Sequence, residues 1–201
     1  MSLAEHPDRL RWNSKYGSGH TASFAPHPLA VAALSMGLRD GPVADLACGP
    51  SGSALLAAGG GRQVTAVDVS EIALRLLGAE ARRRGLGHLI TLRHADLGRL
   101  HLPQGQYALV LCAGFWDTDV FTRATQSVAP GGLLAWEAFT TEALRARPEL
   151  SADWCLAPGE PASLLPAGFA VARTWDLPDN ERGTRRRLLA RCVTTSGPAG
   201  G

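Results

Sequence analysis

From residue 42 onward, short apolar runs alternate with segments whose apolar residues recur at helical spacing. That alternation predicts a parallel β-sheet covered by helices. The strand runs are VADLA (43–47), QVTAVDV (63–69), LITLRHA (89–95), YALVLCA (107–113) and GLLAWEAF (132–139). Helical patterns fall at 52–59, 70–84 and 117–129, with Ser70 placed to cap the second and APGG (129–132) to end the third. A further helical segment is expected near 160–166. Two strands follow, FAVARTWDL (169–177) and TRRRLLARC (184–192), joined by a turn at PDNERG (178–183). Their closeness along the chain favours an antiparallel pair, since a parallel pair needs a long crossover. Residues 1–40 read as a separate helical lid, two helices joined by YGSGHTASFAPHP (16–28), and residues 195–201 as a disordered tail. The expected architecture is therefore α/β: a doubly wound domain over 41–194 with an N-terminal helical lid and an antiparallel final hairpin.

Composition narrows this picture little. The chain has 201 residues, 45% apolar and 19% charged, with a net charge of +2. That is enough chain for one domain with a substantial core, and it makes no case for nucleic acid or an anionic membrane as partner. Lys15 is the sole lysine. No apolar run approaches the ~18 residues that span a bilayer, and MSLAEHPDRLRWN lacks the apolar stretch of a signal peptide. Cys48, Cys112, Cys155 and Cys192 are scattered singly, so neither a zinc knuckle nor a disulfide framework is indicated. A cytoplasmic protein, monomer or homodimer, with no bound metal is the expectation.

The candidate chemistry begins at DLACGPSG, Asp45 to Gly52, between the first strand and the first sheet helix. In doubly wound sheets, ligands lie beyond the carboxyl ends of the strands. The turn fits neither the P-loop pattern nor G-x-G-x-x-G, and Pro50 removes a backbone donor that a phosphate would need. A leading carboxylate, Asp45, would also repel phosphate. S-adenosylmethionine meets each objection: it has no phosphate and carries an ammonium and a sulfonium. Asp45 can attract that charge, and Gly49 lets the backbone approach the ligand. Asp68 ends the second strand 68 − 49 = 19 positions after Gly49, near the ~20-residue offset of a ribose-binding acid. Asp96 ends the third strand, where a carboxylate can accept from an adenine amino group, with Leu97 beside the ring. Any one such Asp is as readily a turn or helix cap.

Taken in order, DLACGPSG, AVDVS, HADL, YALVLCAGF and APGGLLAWEAF resemble the motifs of class I S-adenosylmethionine-dependent methyltransferases over about residues 40–140. The resemblance implies a seven-stranded, mostly parallel sheet with an antiparallel last strand. It also implies a donor site of Asp45, Ala47, Gly49, Asp68, Val69, Asp96, Leu97 and Cys112. The family's glycine turn usually reads DLGCGxG; here Ala47 replaces the first glycine, Ser51 the last, and Gly52 is displaced by one. The ends, RWNSKYGSG and CLAPGEPASLLPAGFAVARTWD, are similar to small bacterial methyltransferases of the tellurite-resistance and thiopurine type. That similarity implies Trp12, Lys15 and Tyr16 as lid residues near the methionine end, against simple packing of the first helix.

Methyl transfer chiefly requires alignment, so little side-chain chemistry is obligatory. A soft acceptor such as a thiolate, selenide or telluride needs almost no base, whereas an oxygen or nitrogen acceptor needs one within reach. Tyr16 and Glu137 are the catalytic candidates, with Glu137 equally readable as a buried structural acid. His20 and His27, in the polar linker, read as solvated, Asp117 as a helix cap, and Asp119 as a further acid near the mouth. The Asn/Asp-Pro-Pro-aromatic motif of base-acting amino-methyltransferases is missing after the fourth strand, where Phe115 and Trp116 stand as pocket-lining candidates. Arg185, Arg186 and Arg187 fall on a strand without interleaved aromatics, which reads as a solvated edge or interface face. The acceptor expected is a small molecule. Two other readings remain: a nicotinamide-dependent oxidoreductase on a similar sheet, and an S-adenosylmethionine-binding protein without turnover.

Overall fold

The computed structural model describes residues 3–18, 22–177 and 183–193. His20, most of the turn at 178–183 and the 195–201 tail lie outside these residues. The helices are α1 (Pro7–Gly17), α2 (Pro28–Ser35), α3 (Gly52–Gly59), α4 (Glu71–Arg83) and α5 (Thr118–Ser127). The strands are β1 (Val43–Leu46), β2 (Val64–Asp68), β3 (Ile90–His94), β4 (Tyr107–Ala113), β5 (Val128–Thr140), β6 (Cys155–Leu156), β7 (Phe169–Asp176) and β8 (Arg185–Cys192). They form one sheet in the order β3-β2-β1-β4-β5-β8-β7, with the two-residue β6 paired to β5. β1 to β6 pair in parallel, and β8 runs antiparallel to both β5 and β7. The doubly wound α/β architecture and the antiparallel hairpin are as the sequence predicts.

Every residue of β1 is buried, because helices cover both faces of the sheet. One face holds Leu46, Val67, Val110 and Leu188 under α5, with Phe121 and Trp136 packed edge to face, centroids 5.2 Å apart. The other holds Val43, Leu109 and Leu133 under α2, α3 and α4. Within residues 1–40 the two helices differ. α2 buries Leu29, Ala30 and Ala33 in the core, whereas α1 buries none of its residues completely and lies across α4.

Two expectations need correction. APGG does not terminate a helix: α5 stops at Ser127, Val128 is already extended, and β5 absorbs residues 129–132. The excess residues are taken up by a register shift, since Tyr107 pairs with Val128 but Leu109 pairs with Leu133. Gly132 is required there, because a Cβ would stand 2.9 Å from two carbonyl oxygens, those of Ala129 and Tyr107. Arg39 and Arg191 donate to the carbonyls of Pro130 and Gly131, both at 2.9 Å. Second, β8 is no solvated edge. It sits between β5 and β7, and its arginines are paired within the fold: Arg185 and Arg187 with Glu137, Arg186 with Asp176.

Candidate active site

Strand order reverses between β1 and β4, and a cavity of about 690 Å³ opens beyond the carboxyl ends of the strands there. Asp45, Ala47, Gly49, Asp68, Val69, Asp96 and Leu97 all line it. Cys112 does not. It follows Leu111, which pairs with Asp45 and faces the cavity; strand alternation turns the next side chain into the opposite core, where Cys112 is fully buried.

The turn itself has an economical geometry. The Gly49 N–H donates to Asp68 Oδ2 at 2.8 Å, and the Ser70 N–H to Asp68 Oδ1 at 2.7 Å. One carboxylate thus ties the β1 turn to the start of α4, and each oxygen keeps a lone pair for a ligand. Gly49 has φ +58°, and a Cβ there would stand 2.9 Å from the Tyr16 hydroxyl, which lies over the turn. Ala47 adopts the left-handed conformation at φ +49°. Ser51 has acquired a role of its own: it caps α3 by accepting from the Ala54 N–H and donates to Asp45 Oδ2 at 2.5 Å. Gly52 lines the cavity and also makes room for the linker. A Cβ there would collide with the backbone of Phe24 and Ala25, which cross the start of α3.

Burial raises the Asp45 carboxyl to about 7, with the Asp68 charge adding to it and the Ser51 hydrogen bond opposing. Burial also raises Asp68, offset by the Ser70 and Gly49 N–H groups. The Tyr16 phenol is pushed up to about 12 by burial and by Asp68 and Cys48, so it stays protonated at neutral pH. Asp96 accepts from the Gly98 N–H at 2.9 Å, with His6 and Arg99 each 3.8 Å from its other oxygen.

α1 is pinned beside this end by a contact that sequence reasoning did not find. Arg9 and Asn13 bind the Glu71 carboxylate, and the Ser70 hydroxyl donates to Asn13 at 2.7 Å. Trp12, Lys15 and Tyr16 consequently line the cavity, with Trp12 and Tyr16 stacked at 5.8 Å and the Lys15 ammonium 4.5 Å from the Trp12 ring. Only the pair Ser70-Glu71, two and three residues after the strand-end Asp68, hints at that contact.

Across the switch point the arrangement changes sign. Glu137 is completely buried and does not face the cavity. Its carboxylate holds Arg187, Arg185 (3.1 Å) and His27 Nε2 (3.5 Å). Burial opposes ionisation, but His27 and Arg187 outweigh it and hold the acid at about 2. Glu137 is therefore ionised at neutral pH and held in ion pairs outside the cavity lining. His27, expected to be solvated, is half-buried and lines the cavity. Its Nδ1 accepts from the Leu29 N–H at 3.2 Å, which places the ring proton on Nε2, toward Glu137. Phe139, Arg147 and Arg185 complete this end, together with Phe115. Trp116 instead packs in the core against Phe121 and Trp136. Asp117 caps α5 through the Val120 N–H at 2.8 Å, and Asp119 lies on the exposed side of α5 away from the cavity. No group of three or more His, Cys, Asp or Glu suited to a metal ion occurs among the described residues.

The sheet order, with its antiparallel β8, gives the fold: it is that of class I S-adenosylmethionine-dependent methyltransferases. Residues 43–132, which carry β1 through the start of β5, match the family model described as a methyltransferase domain. Among solved structures, geranyl diphosphate C-methyltransferase from Streptomyces coelicolor A3(2), in complex with Mg2+, geranyl diphosphate and S-adenosyl-L-homocysteine, superposes with a TM-score of 0.72. It is 12% identical, over 94% of this chain and 100% of that one. A putative sarcosine dimethylglycine methyltransferase from Galdieria sulphuraria gives 0.70 at 14% identity, over 92% and 98%. The (4+2)-cyclase SpnF gives 0.67 at 15% identity, over 92% of each chain. No curated protein sequence matches the chain. No helix among the described residues is long and apolar enough to cross a membrane.

Proposed function

We propose that the protein transfers the methyl group of S-adenosylmethionine to a small-molecule acceptor. The observation that carries this reading is the convergence of Asp45, Asp68 and Asp96 on one cavity with the Gly49 turn. The residues suit the donor. Asp45 offers a buried charge to the ammonium, the free lone pairs of Asp68 suit the ribose hydroxyls, and Asp96 suits the adenine amine. Val69 and Leu97 supply apolar walls. The sulfonium methyl, when bound, is already electrophilic, so the protein's task is alignment and exclusion of water. Tyr16 and Trp12 on α1 cover the turn, consistent with the lid implied by the resemblance to tellurite-resistance and thiopurine-type enzymes.

The candidate bases favour an acceptor that arrives nucleophilic. Tyr16 is protonated, Glu137 is locked in ion pairs, and both ring nitrogens of His27 are engaged. A soft nucleophile such as a thiolate fits best, because it needs no strong base. Four unpaired cysteines fit a reducing, cytoplasmic setting. Calorimetric titration with S-adenosylhomocysteine, with NAD as control, tests the reading. Micromolar binding of the first alone supports it; binding of NAD alone, or of neither, overturns it.

A further inference from the structure

The cavity is electrically lopsided. Asp45, Asp68 and Asp96 sit at the ends of β1, β2 and beyond β3, whereas Arg147 and Arg185 flank Phe139 at the end of β5. Their guanidinium carbons lie 5.1 and 5.8 Å from the Phe139 ring centroid. Four inter-strand steps separate β2 from β8, roughly 19 Å at ~4.8 Å each, so one small molecule at the donor end leaves the basic end free.

Among the described residues the basic end is also under-neutralised. Glu137 supplies one buried negative charge against the two guanidiniums of Arg185 and Arg187, and the His27 tautomer adds no counter-charge. Arg147 pairs with Glu149, which is exposed. Arg185 Nε is buried and has no hydrogen-bond partner among the described residues. Surplus positive charge beside an aromatic ring in a cavity is the recognition chemistry of an oxyanion attached to an apolar body. We propose that the acceptor carries an anionic oxygen group, carboxylate or phosphate, seated on Arg185 and Arg147, with its apolar part against Phe139 and Phe115. Calling this molecule the acceptor rests on the methyl-transfer reading; the anion site itself does not.

The test is calorimetric titration of the protein, with and without saturating S-adenosylhomocysteine, using phenylacetate, phenyl phosphate and neutral phenylacetamide. At least one anion is expected to bind about tenfold or more tightly than the amide, and the stronger of the two distinguishes carboxylate from phosphate. Arg185→Gln and, separately, Arg147→Gln should reduce that preference to about twofold with unchanged affinity for S-adenosylhomocysteine. The second variant serves if the first fails to fold. Amide binding as tight as both anions, no binding of either anion, or a preference surviving in the folded variants overturns the proposal. Anion preference in a protein that does not bind S-adenosylhomocysteine would refute methyl transfer and leave the anion site standing.

Discussion

Replacing Asp45 by Asn separates what this carboxylate costs the fold from what it gives the ligand. The side chain is buried, and its only hydrogen-bonding side-chain partner among the described residues is Ser51, which an amide oxygen can keep. Raising the carboxyl from 3.8 to about 7 corresponds to roughly 4 kcal/mol against the ionised form. Because the folded-state value lies above the unfolded one, stability from this group declines as pH rises from about 4 to about 7 and stays low above it. Asp45→Asn removes the titration. It should stabilise the ligand-free protein by up to about 4 kcal/mol near pH 8 but only about 1.5 kcal/mol near pH 5. Urea unfolding at the two pH values reads this directly. Binding should move the other way: S-adenosylhomocysteine, with its ammonium, should lose about tenfold or more, and adenosine about twofold or less. In the wild type, S-adenosylhomocysteine should weaken as pH falls below about 7, as Asp45 gains its proton. No stability gain near pH 8 would refute the burial argument. Equal losses for the two ligands would refute the ammonium argument.

Two further substitutions probe the ends of the cavity. Ala47→Gly relieves a left-handed alanine, worth about 1–2 kcal/mol, against about 0.5–1 kcal/mol of added chain entropy, so a net gain of up to about 1 kcal/mol is expected in urea midpoints. A clear loss would mean that the methyl group packs productively. Glu137→Gln leaves two guanidiniums without their buried counter-charge and should cost about 3–5 kcal/mol. Since Glu137 is held at about 2 against 4.5 ordinarily, its stabilisation is present above about 4.5 and lost as pH falls toward 2. That limb of acid unfolding should be missing in the variant, as fluorescence across the pH range would show.

The donor half was legible because its signals are local. Asp45, Asp68 and Asp96 each close an apolar run, and short parallel strands place such ends side by side. Cys112 lies on the other face because a one-residue step along β4 reverses the face, and no run of apolar residues records which face is which. Glu137 was visible as an acid on a strand end. Its partners Arg185 and Arg187 are 48 and 50 residues away, and only the insertion of β8 beside β5 joins them. The same insertion defeated the reading of the arginine run, since a strand's place in a sheet is fixed by pairing and not by its own composition. Arg147 lies in a stretch without periodicity and carried no signal at all.

β8 runs against its neighbours, so its first residues, and not its last, reach the carboxyl end of the sheet. The acidic end of the cavity is consequently written between residues 45 and 97, and the basic end's Phe139, Arg147 and Arg185 come afterwards. The methyltransferase-domain match stops at residue 132, before any of those three. The three acids of one end and the two arginines of the other thus occupy separate stretches of the chain and can diverge independently. Exchange of the C-terminal third is a change of substrate vocabulary that leaves the donor grammar intact.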